Sequence, residues 1–248
     1  MELLATESTC AVVELRQYTM RPGQRDTLID LFEREFIEPL EAGGVTVMGQ
    51  FRDLDRPDHF VWMRGFADMY QRAQGLSAFY SGPVWGEHRM AANATMIDSD
   101  NVLLLRPARE GAGIVLDHRL RAPLGATAFS RARIVATISP LARPADRQRI
   151  DFFETSLAPA LEHARARVLG YYVTETSANS YPRLPVREGE HVFVWFAAFA
   201  DDAEYAASRA QLEQSFAWRE QMAIWNRGLV AAPQVLRLSP TARSLVHA

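Results

Sequence analysis

The sequence contains no lysine: all 27 of its basic Lys+Arg residues are arginine. Schiff-base catalysis, a pyridoxal-phosphate linkage and a phosphate-binding loop with its lysine all need a side-chain amine, so those classes are excluded. Cys10 is the single cysteine, which rules out an internal disulfide and any multi-cysteine zinc or iron–sulfur centre. Long apolar runs are missing too, and none approaches the roughly 18 residues of a membrane span. A net charge of -3 leaves no basic footprint for nucleic acid. The start, Met1-Glu2-Leu3-Leu4-Ala5-Thr6-Glu7, lacks the basic-then-apolar pattern of a secretory leader. The six histidines (His59, His88, His118, His163, His191 and His247) form no His-x-His pair and no His-Glu-x-x-His helix motif, so no protein-only metal site is predicted. The expectation is a cytoplasmic protein without nucleic-acid or membrane partners, and the Arg- and Ala-rich usage points to a GC-rich, bacterial genome.

What is present is a chain of 248 residues, 48% hydrophobic, enough for one large domain or two ordinary ones. Its most informative stretch is Val12-Val13-Glu14-Leu15-Arg16-Gln17-Tyr18, which reads as a strand with polar residues where apolar ones belong. Side chains alternate between faces of a strand, so Glu14, Arg16 and Tyr18 share one face. An unpaired buried charge is costly, and such a row must line a polar cavity or be internally paired.

The rest of the first half follows in order. Pro22-Gly23 breaks the strand, and a helix opens at Asp26 with Leu28, Leu31, Phe32, Phe36 and Leu40 at helical spacing, ended by Gly43-Gly44. Val45–Phe51 and Phe60–Phe66 read as a hairpin around Asp53–Asp58. Asp68 caps a second helical region that continues past Gly82-Pro83 to about Ala94, and Val102–Leu105 is a fourth strand stopped by Pro107. Strand, helix, strand, strand, helix, strand is the ferredoxin-like order.

The order then recurs. Phe152-Phe153-Glu154 follows Leu31-Phe32-Glu33, and Gly170-Tyr171-Tyr172 follows Gly49-Gln50-Phe51, both 121 positions later. Trp195, Phe199, Trp218 and Pro240 follow Trp62, Phe66, Trp85 and Pro107, each 133 positions later. The change of spacing places an insertion within about Ala178–Glu190, which reads as a lid over a barrel mouth or as tolerated surface. Three segments are predicted: a unit over 11–107, a linker over 108–130 and a diverged second unit over 131–240. Gly111-Ala112-Gly113 in the linker reads as a flexible joint. A ferredoxin-like unit leaves one sheet face bare, so two units should pack sheet to sheet as an α+β barrel with helices outside. That arrangement is expected to turn Glu14, Arg16 and Tyr18, with Trp62 and Arg64, toward the interior. The aromatics repeated in both halves read as packing.

The first half, Val12 to Pro107, resembles the NIPSNAP family, whose domain opens with Glu-Leu-Arg-x-Tyr and a Pro-Gly turn, here Glu14-Leu15-Arg16-Gln17-Tyr18 and Arg21-Pro22-Gly23. Trp62 and Trp85 fit as well. The resemblance implies the dimeric α+β barrel superfamily, here as a fused pseudo-dimer. That superfamily mixes cofactor-free monooxygenases, isomerases, haem enzymes and proteins without known activity. The second half departs from the pattern, with Val135, Thr137 and Ser139 at the places of Glu14, Arg16 and Tyr18, so one site per chain is expected.

The leading expectation is a small-molecule enzyme without a bound cofactor, performing oxygenation, isomerisation or related proton transfer on a conjugated substrate in the barrel cavity. In that reading Arg16 holds an oxyanion, Tyr18 donates a hydrogen bond, and Glu14 is base or support. Trp62, Arg64 and His59 are the substrate-binding candidates. One alternative is a haem enzyme with a histidine axial ligand, His59 or His163 being the first to test. The other is a non-catalytic binding or interaction module with its barrel interior filled by side chains. Further pairing into a homodimer is left open.

Overall fold

The computed structural model describes residues 7–247. Strand β1 (Val12–Met20) leads into helix α1, which runs through α-helical Arg25–Leu31, a π-helical segment Phe32–Phe36 and α-helical Ile37–Ala42. Strands β2 (Thr46–Asp53) and β3 (His59–Phe66) form the hairpin, helices α2 (Met69–Ser81) and α3 (Pro83–Thr95) follow, and β4 (Val102–Pro107) closes the half. The Asp68 carboxylate accepts from the Gln71 amide at 2.7 Å, capping α2 as expected.

The same order recurs as β5 (Arg133–Leu141), α4 (Arg147–Phe152, π-helical Phe153–Leu157 and Ala158–His163), β6 (Arg167–Thr174), β7 (His191–Phe199), α5 (Asp202–Gln214), α6 (Phe216–Asn226) and β8 (Gln234–Pro240). The π-helical segments of α1 and α4 start 121 positions apart, as the sequence spacing requires. Just past each of these helices a residue adopts the left-handed conformation: Gly44 (φ 81) after α1 and Arg165 (φ 63) after α4.

Pairing runs β3-β2-β8-β5-β7-β6-β4-β1, and β1 pairs back onto β3, so eight antiparallel strands close into a barrel. The two halves are joined where β2 meets β8 and where β4 meets β6. Closure leaves these eight strands without a free edge.

The barrel interior is apolar and filled. Val13 and Leu15 of β1, Val61 and Met63 of β3, and Ala136, Val194 and Phe196 from the second half belong to one buried cluster. Cys10, Ile114, Leu116, Leu245 and Val246 join it from outside the barrel strands. The 108–130 segment is therefore not a loose joint. Tyr171 N–H donates to the Ala112 carbonyl at 2.9 Å, and Ile114 N–H donates to the Tyr172 hydroxyl at 2.8 Å.

The expected facing of the polar row is overturned. Glu14, Arg16 and Tyr18 point away from the interior, into the layer between the first half's strands and α1–α3, and Trp62 and Arg64 lie on that same outward face. The period-two alternation of β1 is as read, but its phase is reversed. The uncharged row of Val13, Leu15 and Gln17 takes the interior, where the Gln17 side chain accepts from Gln234 Nε2 at 2.9 Å and the apolar cluster offers a charge no partner. The charged row goes to the face where a helix supplies one.

Candidate functional site

Glu14 is fully buried and is the hub. Arg16 Nη1 donates to its Oε2, Arg64 Nε donates to the same oxygen at 2.8 Å, and Arg72 Nε donates to Oε1 at 2.7 Å. Strand geometry explains two of these contacts. Arg16 lies two residues along β1 on the same face, and Arg64 is the residue directly paired with Glu14 across β1–β3. Arg72 comes from α2, whose buried stripe is Arg72, Gly75, Leu76 and Phe79. The three guanidiniums are at most 1% exposed, and among the described residues Glu14 is the only carboxylate bridged to them. Three guanidiniums against one carboxylate leave two positive charges in excess inside the protein.

The surroundings add donors. Arg16 Nε donates to the Tyr18 hydroxyl at 2.9 Å, leaving the phenol proton free for another acceptor. The Tyr80 hydroxyl accepts from Arg64 Nη1 at 3.4 Å. Three buried donors have no hydrogen-bond partner: Trp62 Nε1, Arg64 Nη2 and Arg72 Nη2. The second of these lies 2.8 Å from Glu14 Oε2 but is not aligned with it. The Trp62 ring sits between the guanidinium carbons of Arg16 at 5.6 Å and Arg64 at 5.1 Å, close enough for cation–π attraction.

Electrostatics fix the protonation states. Burial alone would raise the Glu14 pKa, but Arg64, Arg16 and Arg72 outweigh it and hold the carboxyl well below its usual range. Glu14 is therefore ionised and a poor base. Burial raises Tyr18, and Arg16 offsets this only in part, so the phenol stays protonated and can donate. Arg72 is lowered by burial against the pull of Glu14, yet an arginine remains charged at neutral pH.

Tyr18 and Trp62 also line a small cavity of about 40 Å³ between sheet and helices, with Phe32, Phe36, Tyr80 and Trp85 among its walls. The 175–190 segment of the second half covers this region. Asn179 Oδ1 and Ser180 Oγ accept from Arg72 Nη1 at 2.9 and 3.1 Å, and the Tyr181 ring stacks on Tyr80 at 6.1 Å. The insertion thus lies over the first half's outer layer and not over a barrel mouth.

Of the residues singled out in the sequence, Glu14, Arg16, Tyr18, Trp62 and Arg64 are brought together. His59 is not: it falls on the alternate face of β3, and burial followed by Arg56 lowers its pKa. His163 is exposed at the end of α4. A haem does not fit this pocket, which holds about 40 Å³ and has no histidine among its lining residues. Among the described residues no group of three or more His, Cys, Asp or Glu could hold a metal ion, and no helix is long and apolar enough to cross a membrane. Arg72, Tyr80 and Asn179 escaped the sequence reading. Arg72 did carry a signal, since it sits three and four positions before Gly75 and Leu76 on the buried stripe of α2.

The second half has no counterpart. The positions 133 after Arg64 and Arg72 are Ala197 and Tyr205. The position 133 after cavity-lining Ala92 is Trp225, 2% exposed, whose indole N–H donates to Ser139 Oγ at 3.1 Å. An indole and a short hydroxyl stand where the first half has Ala92 and Tyr18 beside an aromatic-walled hollow.

Comparison with solved structures shows the fold. An anthrone oxidase-like protein superposes with a TM-score of 0.56 at 13% identity, covering 98% of this chain and 99% of that one. A provisionally named monooxygenase from Lactobacillus acidophilus gives 0.53 at 12% identity, covering 97% and 100%. A provisionally named chlorite dismutase gives 0.52 at 13% identity, covering 93% and 94%. No curated protein matches the sequence. The NIPSNAP family model matches residues 13–109, the segment that carries the whole arginine–glutamate cluster, and it is this segment that is similar to the family.

Proposed function

We propose that the chain is a small-molecule enzyme that holds its substrate as an anion against the first half's arginine cluster, in the layer between strands and helices. The 11–107 unit carries the chemistry and the 131–240 unit closes the barrel and covers the site. The observation that carries this reading is the buried excess of two positive charges beside three donors without partners. Such an arrangement stabilises a bound enolate or phenolate over its neutral form, and so promotes loss of the proton on binding. The ionised conjugated system is the reactive form for isomerisation or for reaction with dioxygen. Arg16 and Tyr18 face the oxyanion, Trp62 supplies an aromatic wall and an N–H, and Glu14 positions the three guanidiniums.

The likeness in fold to an anthrone oxidase-like protein suggests anthrone as the probe. Its anion absorbs at longer wavelength than the neutral ketone, and its oxidation consumes oxygen. The expected result is a lowered apparent pKa of bound anthrone and faster oxygen uptake, both lost in Tyr18→Phe and Arg16→Met. Binding without a spectral shift, or a shift unchanged in both variants, would overturn the proposal. A second reading, a non-catalytic module, is favoured by the 40 Å³ cavity, since a ring-sized ligand enters only if the 175–190 segment moves. Absence of any bound small molecule in native mass spectra, with anthrone added, would select it.

A further inference from the structure

Outside the first half's site, a cavity lies in the second half where the start of α4 meets the end of α6. The cavity has a volume of about 300 Å³, at the small end of the range of about 300–1,000 Å³ found for ligand pockets. Leu141, Phe152, Ile224 and Trp225 give it apolar and aromatic walls. Ile224 is 48% exposed, so the cavity is open to solvent on this side.

One guanidinium in this cavity is unusual. Arg149 lies 4.5 Å over the Trp225 ring, and its Nη1 donates to the Trp225 carbonyl at 3.3 Å. Among the described residues no carboxylate forms an ion pair with it. Asp146, the nearest candidate, spends Oδ1 on the Arg149 backbone N–H at 2.9 Å. The guanidinium packs against Gly228: a Cβ there would stand 2.0 Å from Arg149 Nη2, so a larger residue would require the end of the arginine side chain to shift. With Arg143 and Asp146 at the rim, the lining carries one net positive charge.

We propose that this cavity is a second small-molecule site, distinct from the first half's cluster, that binds a small carboxylate with an aromatic or conjugated apolar body. The carboxylate takes the free N–H edge of Arg149, and the body lies against Trp225, Phe152 and Ile224. Bidentate pairing of guanidinium with carboxylate supplies direction, and the walls supply the buried area.

The test is calorimetric titration of the full chain with cinnamate and with its neutral amide. Wild type should bind cinnamate at least 10-fold more tightly than the amide. Arg149→Gln should weaken cinnamate by roughly 10- to 100-fold, the loss expected for a charge-assisted hydrogen bond, while Arg149→Lys keeps part of the affinity. Gly228→Ala should weaken it as well, and Tyr18→Phe should leave it unchanged. No binding at millimolar cinnamate, equal binding of the amide, or loss in Tyr18→Phe but not in Arg149→Gln would each overturn the proposal. Thermal melts of all variants separate misfolding from lost contact, and Arg149→Lys carries the comparison if Arg149→Gln does not fold.

Discussion

Replacing Glu14 by Gln keeps its shape and removes its charge, and it is the sharpest probe of the cluster. In the native protein the Glu14 carboxylate is fully buried and serves Arg16, Arg64 and Arg72 at once. Removing one partner of a buried ion pair typically costs about 3–5 kcal/mol, because the remaining charge is stranded. Here three are stranded, so Glu14→Gln should fall at the upper end, near 5 kcal/mol, or a fall in midpoint of about 10–20 °C for a chain of this size. Arg72→Met is the control. It leaves Glu14 with two guanidiniums and lowers the excess charge from two to one, so its cost should stay below about 2 kcal/mol even though Asn179 and Ser180 lose a donor. The assay is urea unfolding followed by circular dichroism at pH 7 and low salt, comparing midpoints at constant slope. An Arg72→Met cost equal to or above that of Glu14→Gln would refute the idea that positive charge is in excess.

The same carboxylate sets an acid limit. Because its folded pKa is depressed, its stabilisation is complete above the unfolded value of about 4.3 and is lost as pH falls below it. Stability measured from pH 6 down to 2 should therefore decline below about pH 4.3 in wild type, and more shallowly in Glu14→Gln. Cys10 is buried, with its thiol pushed up to about 11 chiefly by burial. At pH 8 that lowers the thiolate fraction about 200-fold relative to a free cysteine, so a thiol reagent should label it only after unfolding, and rapid native labelling would contradict its burial. Arg165 is exposed in the left-handed conformation that Gly44 occupies after α1. Arg165→Gly should relieve about 1 kcal/mol and raise the midpoint by about 2–4 °C; a drop would show that the arginine contributes an interaction of its own.

Much of this molecule is legible in one dimension. The alternation in β1, the apolar stripe Leu28, Leu31, Phe32, Phe36 and Leu40 of α1 and the Asp68 cap depend only on neighbouring residues, and the constant spacings of 121 and 133 are a repeat that can be read along the chain. From them come the element order and the barrel. The Glu14, Arg16 and Tyr18 row was visible too, since charge in an apolar strand has to be accounted for wherever it points. What the chain could not disclose by itself was which face of β1 would look inward. A period of two is the same in either phase, and the choice rests on partners distant in sequence: Arg64 across the sheet, Arg72 from a helix, and Asn179 more than a hundred residues away. Nor could it disclose that Trp225 fills the second half's equivalent space, or that Gly228 makes room for Arg149. Sequence determines what each segment must bury. Only the closed barrel decides against what, because the partner that satisfies a buried charge or fills a hollow is chosen by tertiary proximity.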